Sequence, residues 1–315
     1  MQRVKISGAA FAASGLLAAV ALISCDTADY RQPIAQFQDA SAVVTEASRD
    51  VLIHFNTIGR DAAIDRAVSR KTQIDIEAIR SRQIITQDEI DIRIGALDAF
   101  QSYMAALAEL ARGRGEENIS AQTGSLSAAL SSFSQRAAAL PKSNANFVKN
   151  GDLGTSLTSL ANAAGAIASL IAEHKAKKEI AESVMRTKKP VEDFTNLLES
   201  ELVECLAVEK TAVADEEVFY AKSYQDELRK SPPDAANLLV FGEHIKSYIR
   251  QRDAMDAANP RPSFEAMRKA HAALIQFAGE SHNPRNVSEL FASAQTFFAE
   301  VKPFGAAVQA LANLK

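Results

Sequence analysis

Five histidines and two cysteines carry most of the chemistry that this chain could do. A metal site built on one helix needs two ligands three or four residues apart, so that both side chains leave the same face. His54, His174, His244, His271 and His282 lie in five separate segments, with no His-x-x-x-His or Glu-x-x-His spacing among them. No metal set and no cofactor is therefore expected. His174 and His271 fall in phase with apolar neighbours, which places them in the core or at its boundary. Cys205 does the same in Glu201-Leu-Val-Glu-Cys-Leu-Ala-Val208 and reads as a small core residue rather than a nucleophile. A Gly-x-Ser-x-Gly elbow, a phosphate-cradling glycine loop followed by Lys, and a Gly-x-Gly-x-x-Gly turn after a strand are all missing. Acid pairs occur at Asp88-Glu89, Glu116-Glu117 and Glu216-Glu217, each in a polar stretch, where solvated helix-start or surface charge is expected. No residue is assigned a catalytic role, and the chain is not expected to be an enzyme.

The second cysteine has a different setting. Arg3 and Lys5 form a short positive region, an uncharged apolar run follows from Ile6 to Ile23, and Asp26 ends it without a basic cluster behind. The run closes on Leu22-Ile23-Ser24-Cys25, which resembles the lipobox of bacterial lipoproteins. The resemblance implies that residues 1–24 are a signal peptide and that cleavage occurs before Cys25. It also implies a diacylglycerol thioether on Cys25 and an acyl chain such as palmitate on the new amino group. Each buried methylene contributes about 0.8 kcal/mol, so two or three chains hold a protein where a single one holds weakly. The implied location is the periplasmic side of a cell membrane. Asp26 follows the cysteine where an aspartate resembles an inner-membrane retention signal, so the inner membrane is favoured over the outer. A plain N-terminal transmembrane anchor is the alternative.

Composition limits the rest. The hydrophobic fraction of 47% and charged fraction of 23% belong to a globular chain, and 315 residues leave ample length for a core. Without residues 1–24 the chain keeps 33 basic and 39 acidic residues, a balance of −6, with both signs interspersed. No basic face exists for nucleic acid.

The elements that must position these residues are helices throughout. Sustained strand patterns and hairpin turns are missing, Asn150-Gly151 reading as a turn between two helical segments, and proline stands where helices start or break. After a tether over 25–32, Pro33 suits the first turn of a helix carrying Ile34, Phe37, Val44, Val51, Phe55 and Ile58, with an amphipathic continuation through Ile74, Ile76 and Ile79. Thr86-x-x-Glu89 has the pattern of a capping box, opening a helix with Ile90, Ile94, Leu97, Met104 and Leu107 inward. Ile119 to Leu140 and Leu153 to His174 follow coiled-coil steps of four and three. Beyond Lys188-Lys-Pro190, helices are expected over about 191–230 and 234–258, then a shorter one after Asn259-Pro-Arg-Pro262 that carries Phe264, Met267, Leu274 and Phe277, and a last one after Pro284 that Pro303 kinks. The expected fold is all-α: an elongated antiparallel bundle of about eight helices joined by short turns. It occupies residues 33–315, with two sub-bundles meeting near 188–190 as an option.

Three functions are compatible with this reading. The first is a lipid-anchored, non-enzymatic scaffold or interaction module of the cell envelope, with the membrane and an envelope protein as partners. The second is a small-ligand or enzymatic site between helices, for which Glu243, His244 and His271 are the candidates. The third rests on Leu153 to Ala172, twenty residues without a charge. Helical pore-forming toxins resemble this layout of long helices with one apolar hairpin. The many Ser and Thr residues in that stretch favour a packed bundle helix over a membrane-inserting one.

Overall fold

The apolar stripe that begins at Ile34 produces a helix of 42 residues, α1 (Ala28–Ser69), roughly 60 Å long. This comes from a computed structural model that describes residues 28–80, 86–112, 184–280 and 284–314. Among the described residues every element is helical and no strand occurs. Ile34, Phe37, Val44 and Val51 are buried, as their spacing requires. Pro33 sits inside α1 rather than in its first turn, since helix is already described from Ala28. The missing N–H there costs a single backbone bond near a helix end.

The expected continuation through Ile74 and Ile76 does not form, and α1 stops at Ser69. Lys71 takes the left-handed conformation with φ of 55°. Its N–H donates to the Val68 carbonyl at 3.1 Å, and the Thr72 N–H donates to the Ala67 carbonyl at 3.0 Å. That pair of bonds is a Schellman stop, made here without the usual glycine. The chain resumes as the short α2 (Ile76–Arg80), whose Ile76 is 59% exposed.

The capping box forms as read. The Thr86 N–H donates to Glu89 Oε2 at 2.8 Å, and the Glu89 N–H donates to Thr86 Oγ1 at 3.3 Å. It opens α3 (Gln87–Arg112), which buries Ile90, Leu97, Met104 and Leu107. The two coiled-coil segments between 119 and 174 lie outside the described residues, and with them His174 and Glu116-Glu117.

Four helices complete the described fold. α4 (Lys188–Leu228) takes in Pro190 at its third position, where no intrahelical N–H bond is required. The start of α4 is tied to α3. Thr187 Oγ1 donates to the Val184 carbonyl at 2.9 Å, so its lone pair receives the Tyr103 hydroxyl at 2.7 Å. α5 (Ala235–Ala257) is capped by Asp234, whose Oδ1 accepts from the Ala236 N–H at 2.9 Å. α6 (Arg261–Gly279) starts after Pro260, and α7 (Pro284–Ala312) runs through Pro303 as one helix.

α1 packs on α3, α4, α6 and α7, and α4 pairs with α5 across the short turn between them. The main core gathers α1, α3, the first half of α4, α6 and α7 around side chains such as Phe37, Phe264, Phe297 and Phe304. A second, smaller cluster of Val213, Tyr220, Tyr248 and Met255 sits between the second half of α4 and α5, with Leu311 of α7 against it. The backbones of α1 and α5 stand apart, and the two helices meet through side chains. The bundle is all-α, as its period implied.

Candidate functional site

Where α1 and α5 stand apart, a cavity of about 420 Å³ opens between α1, α4, α5 and the end of α7. Its wall joins the two cores: Val51 and Val308 belong to the main one, Tyr248 and Leu311 to the smaller. α1 brings Asp50, His54, Asp61 and Asp65, α4 brings Glu209, and α5 brings His244, Ser247, Tyr248 and Gln251. The end of α7 is apolar and supplies Val308, Leu311 and Ala312, with Leu314 just beyond. The ionisable side chains of the wall are thus carboxylates and histidines, and among the described residues no lysine or arginine lines it.

Asp65 organises the upper end. The Tyr248 hydroxyl donates to Asp65 Oδ2 at 3.0 Å, and His244 Nδ1 lies 3.7 Å from the same oxygen. Tyr220, His244 and Tyr248 form an aromatic stack, with 4.4 Å between the Tyr220 and His244 rings and 5.8 Å between the two tyrosines. Tyr248 and His244 thus reach from α5 to Asp65 of α1, with Tyr220 of α4 stacked beside them. Burial pushes the Tyr220 hydroxyl up to about 12. Burial and the neighbouring Asp65 carboxylate raise Tyr248 as well, so both stay neutral donors.

Glu209 is the residue that sets the chemistry. It is 3% exposed, lines the cavity, and its Oε1 has no hydrogen-bond partner among the described residues. Burial raises its carboxyl from the ordinary range to about 8, so at neutral pH it holds its proton. A buried carboxyl without a partner is costly, and such groups cluster where a protein binds or reacts with something. Ser247 Oγ accepts from Gln251 Nε2 at 3.3 Å, which engages the serine with an amide rather than a base.

The residues expected to form a site between helices are not brought together. Glu243 is exposed and paired with Lys246 at 2.8 Å. His271 is buried in the main core, its ring stacked 6.2 Å from Phe37, and burial lowers it to about 4. Of the three only His244 reaches the cavity, whose wall it shares with His54 of α1 and the acids. The reading of Glu216-Glu217 as solvated surface charge is also corrected. Glu216 is buried against Arg66 of α1 at 2.5 Å, and Glu217 pairs with Arg252 of α5 at 2.6 Å. Asp88 stands exposed at the start of α3, as expected, and Glu89 is half-buried in the capping box with Thr86. Cys205 is a buried free cysteine, with its thiol raised by burial, and belongs to the core.

Helical phase carried a signal for the missed residues. Leu198, Leu202, Cys205, Glu209, Val213, Glu216 and Tyr220 follow steps of four and three along α4, so two glutamates stand on its apolar stripe. Acids on a buried face are rare unless paired or functional. Glu216 has its arginine, whereas Glu209 faces the cavity.

Among the described residues, no group of three His, Cys, Asp or Glu side chains is placed to hold a metal ion. No described helix is long and apolar enough to cross a membrane. Cys25 and residues 151–173 lie outside the described residues. Fold and cavity together define a class: an all-α bundle with an acidic, histidine-lined cavity at the seam of two cores. Comparison with protein-family models, curated proteins and solved structures finds no match.

Proposed function

We propose that this protein is a lipid-anchored helical module on the periplasmic side of the inner membrane, and that it binds a small molecule in the cavity between α1, α4, α5 and α7 without turning it over. The observation that carries this reading is Glu209, a buried carboxyl facing a cavity with one oxygen unpartnered. The volume of about 420 Å³ falls in the range of small-molecule sites, and the mixture of an apolar wall with a few convergent polar groups is their usual make-up. Lipid attachment rests on the resemblance of Leu22-Ile23-Ser24-Cys25 to a lipobox.

The test is a small-molecule screen on the intact protein in detergent, read as a rise in melting temperature. A ligand at one hundred times its Kd stabilises the folded state by about 2.7 kcal/mol. Ser247→Phe, which places a bulky ring on the cavity wall, is expected to abolish the rise. A screen with no stabilising compound, or rises that survive Ser247→Phe unchanged, would overturn the reading.

A second reading, docking of an envelope protein, is supported by exposed apolar side chains near the α4–α5 turn. Leu228 ends α4, and Leu239 and Val240 stand in the second turn of α5, with Leu239 67% exposed. Crosslinking in intact cells from cysteines placed at 239 and 240 would capture that partner.

A further inference from the structure

We infer that the ligand of this cavity is an organic monocation, an amine with an apolar body, whose ammonium group sits against Glu209 while its body lies along the end of α7. The inference rests on the ligand-binding reading above and specifies its chemistry. Three observations carry it.

The first is the sign of the wall. Asp50, His54, Asp61 and Asp65 face the cavity from α1, Glu209 from α4 and His244 from α5. Among the described residues α7 adds no charge to the wall, and no lysine or arginine lines it; Asp61 alone pairs with an arginine, Arg60 at the rim. An anion would meet this wall unscreened, whereas a cation would find it complementary.

The second is how those carboxyl groups are already engaged. Asp65 accepts from Tyr248 and stands beside His244, and Asp61 pairs with Arg60 at the exposed rim. Glu209 is the buried one, with Oε1 unpartnered. Glu209 has no hydrogen-bond partner among the described residues, and one deep carboxyl on the wall calls for one ammonium, whose N–H donors would engage it.

The third is shape. A bare metal ion needs several oxygen or imidazole ligands converging on one point. No such convergence occurs among the described residues, and the cavity is far larger than an ion. Val308, Leu311 and Leu314 present an apolar wall that an organic body covers and a hydrated ion does not.

Binding of this kind moves a proton. Glu209 is protonated in the empty cavity at neutral pH, and an ammonium beside it favours the carboxylate, so the proton leaves to solvent as the amine arrives. Amine affinity therefore rises with pH until Glu209 is ionised without help. His54 and His244 face the same space, so a variant at Glu209 is needed to separate the contributions.

The experiment uses three probes with one body: 4-phenylbutylamine, 4-phenylbutanol and 4-phenylbutyrate. Each is titrated by calorimetry into the intact protein in detergent at about pH 6.5 and about pH 8.5. The amine is expected to bind at least roughly tenfold more tightly than the alcohol, with no detectable binding of the carboxylate. Its affinity is expected to rise by on the order of tenfold between the two pH values. Glu209→Gln keeps the size and neutrality of the protonated side chain, and it is expected to remove both the preference for the amine and most of the pH rise. Asp65→Asn still accepts from Tyr248 and serves as the second variant, with amine affinity lowered. Alcohol or carboxylate binding as tightly as amine, or amine binding unchanged in both variants, would overturn the inference while leaving ligand binding intact. If none of the three probes binds, the inference fails. The ligand-binding reading fails with it only if the wider screen is blank too.

Discussion

His271 and Glu209 are both buried without full hydrogen bonding, and burial moves them in opposite directions. A histidine whose folded value is about 4, against an ordinary 6.5, contributes stability that is complete above pH 6.5 and is lost as pH falls through 4. The full effect is about 3 kcal/mol. His271→Leu is expected to flatten this acid limb, measured as denaturant midpoints between about pH 4 and about pH 7. Glu209 works the other way. Its raised value means that stability is complete below its ordinary 4.5 and is lost as pH rises through about 8. Glu209→Gln should therefore be more stable than the natural chain at pH 8 and near equal to it at pH 4.5. An equal or lower midpoint at pH 8 would count against a buried, protonated Glu209. His271 was legible in the sequence, because it continues the Phe264, Met267 and Leu274 stripe of α6. Glu209 was not recognised, although it shares a stripe with Leu202 and Cys205, because a glutamate in a charged segment reads as the solvent face. Only tertiary packing distinguishes the glutamates that find arginines from the one that meets a cavity.

At the scale of elements, the joints between helices are where single changes should matter most. Arg93 and Glu201 are both buried and join α3 to α4 by bonds of 2.9 Å and 3.4 Å, with Arg93 also donating to the Glu89 carbonyl at 2.9 Å. Removing one partner leaves a charge without an opposite, so Arg93→Met is expected to cost about 3–5 kcal/mol. Arg93→Met with Glu201→Leu should recover most of it, because a well-packed apolar pair avoids the desolvation. Gly305 marks a second joint. A Cβ there would lie 2.8 Å from Val43 Cγ1 of α1, and a β-branched valine has little freedom to turn away. Gly305→Ala is expected to destabilise by about 1–3 kcal/mol despite alanine's better helix propensity, and Val43→Ala should relieve it. A stabilised Gly305→Ala would show that α1 and α7 can separate at no cost. The helices themselves were legible from period, and the start of α3 from Thr86 and Glu89. The end of α1 was not, because its left-handed stop uses Lys71 where glycine is the usual sign.

At the scale of the whole molecule, the cavity exists because two cores meet along α4 without merging, and α1 and α5 stand apart in backbone and meet through Asp65, Tyr248 and His244. No single segment could announce it, since its polar residues come from α1 at one end of the chain and from α4 and α5 well over a hundred positions later. Attachment is the remaining property, and it belongs to Cys25. None of the described helices is apolar enough to span a bilayer, so on the lipoprotein reading acyl chains supply the hold. Cys25→Ala is expected to block lipidation and leave an uncleaved precursor held by residues 1–24, seen as a heavier band that takes up no labelled palmitate. Replacing residues 1–25 with an ordinary cleavable signal should release a soluble periplasmic protein that keeps the melting temperature of the lipid-free fold. If that protein still sedimented with membranes after a high-salt wash, lipid would not be the main anchor, and residues 151–173 would become the segment to delete next.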